Sequence, residues 1–393
     1  MTNEQLMTGT QKYLMANYGR LPVAIVSAAG ATVRDAAGRE YIDLFAGFGA
    51  AAMGHCHPAV VEAIRRQAGE LMCVGNLFTW PSQVELAERI IRHSFGAGRV
   101  FFCHSGAEAN EAALKLARRA AGKGRYKMIS FTHGFHGRTM GGLSMTSQTK
   151  FHEGFEPMVP GCVYVPFNDA PAVERAIDKE TAGIIFEPIQ GEGGIHLPEA
   201  SFLARLRELA DRHKLTLICD EVWTAPARTG QWFGYQHYGI TPDVITLGKA
   251  LGGGVPVAAC VAREGFDQVL TPGTHGCTLG GNPVCAAAGA AVMKLIESEG
   301  LVERANQLER RIREMIAAAK LPNVREVRGK GLMLGIEMAK PAKEAVAACL
   351  AKGVMINVTA DTVVRLAPPL TIEQGQLEAA LKIVLDVLKA MPA

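Results

Sequence analysis

The sequence predicts an α/β protein. It has a large domain, with a mostly parallel central sheet flanked by helices, and a smaller α+β domain built from the C-terminal part and the N-terminal segment. Three observations lead there: short apolar runs almost free of charge, helix-patterned stretches between them, and a change of pattern after residue 284. The runs are Val100–Cys103, Lys127–Phe131, Gly183–Phe186, Leu215–Cys219 and Val244–Leu247. Continuous apolar runs rich in β-branched and aromatic residues suit strands buried on both faces. Between the third and fourth runs, Glu199–Lys214 gathers Phe202, Leu203, Leu206, Leu209 and Ala210 on one helical face, with Arg and Glu opposite. Strands alternating with such helices make a parallel sheet covered on both sides.

Past residue 284 a long helical stretch, Pro283–Lys320, leads into short strands at Val324–Val327, Leu332–Glu337 and Val363–Leu366 and a last helix, Ile372–Ala390. Strand-like pieces at Ala24–Ser27 and Glu40–Asp43 pack against this part. The expected division is 1–50, an N-terminal segment; 51–283, the large domain; and 284–393, the small domain.

Composition narrows the function. Hydrophobic residues are 48% and charged residues 20% of the 393-residue chain, an ordinary globular balance that excludes disordered and collagen-like classes. Basic residues (41) barely exceed acidic ones (38) and form no run, so nucleic acid is not an expected partner. Nine cysteines without a CxxC pair argue against a disulfide or zinc scaffold and for a reducing, cytoplasmic location. No transmembrane helix or secretory signal is read. A small-molecule substrate is expected.

Polar clusters follow the strand ends, where open α/β sheets bind ligands. They are His104–Asn110, Thr132–Arg138, Glu187–Gly194, Asp220–Trp223 and Lys249–Gly254. Lys249 stands at a strand end among glycine and apolar residues, where desolvation favours the free amine. Such an amine can condense with an aldehyde. Taken alone, the same lysine could simply extend along a loop edge. Asp220 ends the preceding strand and could cap its turn or keep a pyridine nitrogen protonated. A lysine for an aldehyde and a carboxylate for a pyridinium together point to pyridoxal 5′-phosphate (PLP). Ser105–Gly106–Ala107–Glu108 has capping-box spacing, so a helix begins there with backbone N–H groups suited to phosphate. Phe135 could stack on a ring or belong to the core. Arg138 and Arg365 could each grip a carboxylate or form a surface ion pair.

These residues resemble the class III (ω-)aminotransferases of PLP fold type I, most of all the acetylornithine branch, which includes ornithine and succinyl-diaminopimelate enzymes. The likeness runs along nearly the whole chain. It is carried by Gly54–Pro58, Ser105–Asn110, Phe135–Thr139, Glu187–Gly194, Asp220–Val222, Arg228–Gly230, Lys249–Gly254, Gly273–Gly276, Gly280–Pro283 and Val364–Leu370. The resemblance implies roles. Lys249 would carry the cofactor and shuttle protons, and Asp220 would bond the pyridine nitrogen. Ser105, Gly106 and Ala107 would hold the phosphate, Phe135 and Val222 would sandwich the ring, and Thr278 would reach the phosphate of the neighbouring subunit, implying a homodimer. Arg365 would bind an α-carboxylate and Arg138 a second carboxylate, with Glu192 neutralising Arg365 when an ω-amine reacts.

Three positions depart from the family pattern. Trp223 replaces a glutamine that contacts the cofactor's phenolic oxygen. Thr224–Ala227, stiffened by Pro226, replaces a glycine-rich piece, and Cys277 replaces serine at a substrate-binding position. No metal centre is expected, because His55, Cys56, His57, His133 and His136 lack an accompanying ligand cluster. The implied reaction moves the δ-amino group of N2-acetylornithine to 2-oxoglutarate, giving N-acetylglutamate 5-semialdehyde and glutamate, a step of arginine biosynthesis. Ornithine, 4-aminobutyrate or succinyl-diaminopimelate as donor are the alternatives. So are an aminomutase, a decarboxylase or a catalytically silent binding protein on the same fold.

Overall fold

The computed structural model describes residues 1–392. Helix α1 (Asn3–Tyr13) precedes a meander of β1 (Ile25–Ala29), β2 (Thr32–Asp35) and β3 (Glu40–Asp43), then α2 (Pro58–Glu70) and α3 (Pro81–His93). Next come β4 (Gly98–Cys103), α4 (Gly106–Ala121), β5 (Lys127–Phe131), α5 (Met140–Met145), β6 (Cys162–Val165), α6 (Ala170–Ala176) and β7 (Thr181–Phe186). They are followed by α7 (Ala200–His213), β8 (Thr216–Asp220), β9 (Val244–Leu247) and β10 (Ala258–Arg263). The remainder is α8 (Pro283–Ser298), α9 (Leu301–Ala319), β11 (Val324–Lys330), β12 (Met333–Met338), α10 (Glu344–Ala351), β13 (Val354–Met355), β14 (Asn357–Thr359), β15 (Val363–Leu366) and α11 (Gln374–Ala390).

The central sheet has seven strands in the order β4-β10-β9-β8-β7-β5-β6. Only β10 runs against its neighbours. All five apolar runs are strands of this sheet. Adjacent residues serve opposite faces: Ile184, Leu217 and Cys219 join the core under α7, while Ile185 and Ile218 join the core under α4. Both faces are dry, which is why the runs are apolar without alternation. Helix α7 buries Phe202, Leu203, Leu206, Leu209 and Ala210, the face read from its periodicity. Strands β6 and β10 were not anticipated. The first is only four residues long, and the second, Ala-Ala-Cys-Val-Ala-Arg, is too small-residued to stand out.

The smaller sheet, β11-β12-β15-β14, is antiparallel throughout. The N-terminal meander gains a fourth strand from the C-terminal part, because β13 pairs with β3 in parallel. Leu44 shares one apolar cluster with Ile312, Leu334 and Leu385. The stretch expected as one long helix is two, α8 and α9, broken at Gly300, whose φ of 61° favours glycine.

Candidate active site

Lys249, Asp220 and the start of α4 meet at the carboxyl ends of β9, β8 and β4. Ser105 caps α4: its hydroxyl accepts from the Glu108 N–H at 3.2 Å, and the Glu108 carboxylate accepts from the Ser105 N–H at 2.8 Å. The first-turn amides of Gly106 and Ala107 are thereby left unbonded within the helix. Gly106 is tightly packed. A Cβ there would lie 2.5 Å from a methyl of Val222, and a Cβ on Gly248 would meet the Gly106 nitrogen at 3.2 Å. The helix start, the strand end before Lys249 and Val222 are therefore packed against one another, with no room for a side chain on either glycine.

Asp220 is buried and held on two sides. Its Oδ2 accepts from Asn110 Nδ2 at 2.7 Å and lies 2.8 Å from His136 Nδ1, while Oδ1 accepts only from the Val222 N–H at 3.1 Å. Asn110 is itself fixed, accepting from the Thr246 hydroxyl at 2.8 Å. Sequence reading missed Asn110, Thr246 and the part His136 plays here. The helical spacing placing Asn110 on the inner face of α4 was the available signal.

Lys249 lines a cavity of about 430 Å³ with Phe135, Arg138, Glu192, Phe48 and Phe151. Its backbone has φ 39°, a strained conformation for a lysine. Enclosure pushes its amine below the ordinary lysine range, opposed by the charges of Glu192, Asp220 and Glu187. Burial also pushes the Glu187 carboxyl up to about 7, although it accepts the N–H groups of Phe135 and Gly191.

Arg365, on β15, is buried, and burial lowers its pKa against the opposing effect of Glu192. Its Nη1 lies 3.3 Å from Glu192 Oε1 and donates to the Gly191 carbonyl at 3.0 Å, while Nε donates to Asn357 Oδ1 at 2.9 Å. Arg138 differs. It is exposed, lies 3.9 Å over the Phe151 ring, and has no carboxylate partner among the described residues.

Trp223 is wedged between two glycines. A Cβ on Gly49 would meet its Nε1 at 2.4 Å, and one on Gly191 would meet its Cε3 at 2.1 Å. Its ring has the Lys249 amine at 4.7 Å and the Arg365 guanidinium at 4.6 Å, and its Nε1–H has no partner. The following Thr224–Ala227 loop is wholly buried. Thr278 and Cys277 lie outside the cavity. Thr278 is exposed, and the Cys277 sulfur lies 3.4 Å from His104 Nδ1. Three of the histidines weighed as metal ligands are engaged by protein groups: His55 with Asp43 at 2.9 Å, His57 as the cap of α2 and His136 with Asp220. A second cavity, about 600 Å³ between α2, α3 and α8, contains none of the expected site residues.

A depressed lysine amine beside a buried, pre-oriented carboxylate and free helix-start amides fits PLP: an amine for its aldehyde, an acceptor for its ring nitrogen and donors for its phosphate. Fold and site thus define a PLP-dependent transferase of fold type I. The chain belongs to the class III aminotransferases, whose family pattern matches residues 13–388, and its cofactor is pyridoxal 5′-phosphate. It is 44% identical to an acetylornithine aminotransferase of Aquifex aeolicus, over 96% of this chain and 100% of the relative. It is 45% identical to one of Caldanaerobacter subterraneus subsp. tengcongensis, over 98% and 99%. Among solved structures it is similar to the ornithine aminotransferase of Toxoplasma gondii ME49, with a TM-score of 0.94 at 33% identity, covering 99% of this chain and 95% of that one.

Proposed function

We propose that the protein transfers the δ-amino group of N2-acetylornithine to 2-oxoglutarate, giving N-acetylglutamate 5-semialdehyde and glutamate, as a cytoplasmic homodimer serving arginine biosynthesis. The observation that carries the choice of substrates is the pair of unlike arginines, one neutralised by Glu192 and one free at the cavity mouth. The near full-length identity to acetylornithine aminotransferases supports it.

Pyridoxal phosphate, when bound, supplies an aldehyde that accepts the amino group and an electron-withdrawing ring. Lys249 Nζ, which enclosure pushes below the ordinary lysine pKa range, would take the proton from the substrate carbon that bears the amine and return it. Asp220, fixed by Asn110 and His136, would keep a proton on the ring nitrogen. Gly106 and Ala107 would hold the phosphate through backbone amides in a turn ordered by Ser105, and Phe135 and Val222 would be the residues beside the ring. Trp223 closes the wall behind Lys249.

Acetylornithine has one carboxylate and a free δ-amine. Arg138 binds that carboxylate, and Glu192 occupies Arg365, since an unpaired buried guanidinium costs several kcal/mol. 2-Oxoglutarate has two carboxylates. Arg138 takes the distal one, and the α-carboxylate displaces Glu192 from Arg365. Both substrates are thus accommodated by moving one side chain.

A dimer places Thr278 and Cys277 at the partner's site. The exposed apolar side chains of Leu279 and of Leu77 and Phe78, next to Asn76 that donates to the Cys277 carbonyl, support a covered surface. Nine free cysteines support a reducing compartment, and among the described residues no helix is long and apolar enough to cross a membrane.

Half-reactions with acetylornithine, ornithine, 4-aminobutyrate and succinyl-diaminopimelate, read as loss of the cofactor's visible band, test the proposal. Acetylornithine should give the highest kcat/KM. An unchanged band with acetylornithine and a bleached one with another donor would overturn the substrate assignment. Turnover without 2-oxoglutarate, or release of carbon dioxide, would overturn the reaction.

A further inference from the structure

Outside the lysine cavity, three side chains that can ligate a metal converge where α4 begins. His104 precedes the Ser105 cap, Glu108 lies one turn on, and Cys277 arrives from the loop between β10 and α8. One ligand atom from each falls within 4.8 Å of the others. The same ring nitrogen, His104 Nδ1, faces Glu108 Oε1 at 3.2 Å and Cys277 Sγ at 3.4 Å. The sulfur also lies 3.8 Å from Nε2, so it sits against the ring edge between the two nitrogens. A cation serves all three lone pairs at once.

The edges fit zinc. With Zn–N and Zn–O near 2.0–2.1 Å and Zn–S near 2.3 Å, a tetrahedral site has N···O and N···S edges of about 3.3 and about 3.5 Å. The carboxylate is already aimed. Glu108 Oε2 accepts the N–H groups of Ser105 (2.8 Å) and His104 (2.9 Å) and the Ser105 hydroxyl (3.1 Å), leaving Oε1 to face His104. Outer hydrogen bonds of this kind orient metal ligands. In a single chain the His104 and Glu108 side chains are 33% and 39% exposed, so the three ligand atoms leave a fourth position unfilled by this chain.

We propose that His104, Glu108 and Cys277 form a Zn²⁺ site completed by water, clamping the start of α4 to the loop that carries Thr278. On binding, the Cys277 S–H bond breaks, sulfur keeps the electron pair and bonds the ion, and the proton passes to solvent; no oxidant or reductant takes part.

The test uses chelator-treated holoenzyme. Equilibrium dialysis should give one Zn²⁺ per chain, and Co²⁺ should show tetrahedral ligand-field bands to the red of the cofactor's absorption. Cys277→Ser and His104→Ala should each weaken binding by more than about tenfold. Glu108→Gln, which keeps an acceptor for the cap, should weaken it too. Thermal melting without metal shows whether each variant is folded. The proposal is overturned if the wild-type protein takes up no stoichiometric Zn²⁺, or if a folded Cys277→Ser or His104→Ala variant binds it as tightly.

Discussion

Asp220 and Glu221 are neighbours in sequence, both carboxylates and both buried, yet they belong to different regions. Glu221 faces the joint behind the sheet edge. It accepts the N–H groups of Gly234 and Tyr235, each at 2.8 Å, and the Thr224 hydroxyl. Asp220 faces the cavity side, where two side chains and one amide hold it and Oδ1 keeps capacity for a ligand. The two buried arginines divide in the same way. Arg228 donates only to the backbone carbonyls of Leu332 and Pro368, whereas Arg365 shares itself between a carbonyl, Asn357 and the Glu192 carboxylate. The charges that brace the fold are met mainly by the backbone, which cannot leave, whereas those at the cavity are met in good part by side chains, which can.

The largest effect should come from Lys249→Ala. Transamination should fall by about 10³-fold or more, while the melting temperature barely changes and PLP still binds without a covalent link. Borohydride should fix the cofactor to the wild-type chain at Lys249 and not to the variant. Asp220→Asn should lower kcat by about 10²–10³-fold, with a spectral shift of the bound cofactor and little loss of stability.

Across the joint the pattern should invert. Glu221→Ala strands two buried N–H groups and should cost about 2–3 kcal/mol in denaturant unfolding, with activity per folded molecule nearly kept. A large activity loss without a stability loss would erase the distinction between the regions.

Glu187 sharpens it through pH. Its folded pKa, about 7, is raised above the ordinary carboxylate value by burial. Its contribution to stability is therefore fully present below the unfolded pKa and is lost as pH rises through about 7. Apoenzyme stability should drop by about 1–3 kcal/mol between mildly acidic and mildly alkaline pH, and Glu187→Gln should flatten that slope.

The smallest effect should separate the two substrates. Glu192→Gln should slow the ω-amino donor half-reaction by about tenfold, roughly 1.4 kcal/mol, and leave the glutamate half-reaction nearly unchanged. Equal losses in both would show that Glu192 does not act through Arg365.

Much of this molecule was legible as sequence because burial on both faces forces continuous apolar runs, and helix periodicity forces an apolar stripe. The five strands and the buried face of α7 follow from those two rules, as does the capping box at Ser105. Polar residues just past the strands marked the active edge. Local pattern could not show which polar atoms meet across the fold. His136 and Asn110 on Asp220, the glycines that wedge Trp223, the Glu192–Arg365 pair, and His104 with Cys277 join residues as much as 174 positions apart. Those contacts exist only once the sheet order and the docking of the smaller sheet bring the segments together, since directional forces between side chains act over a few ångströms of space rather than along the chain.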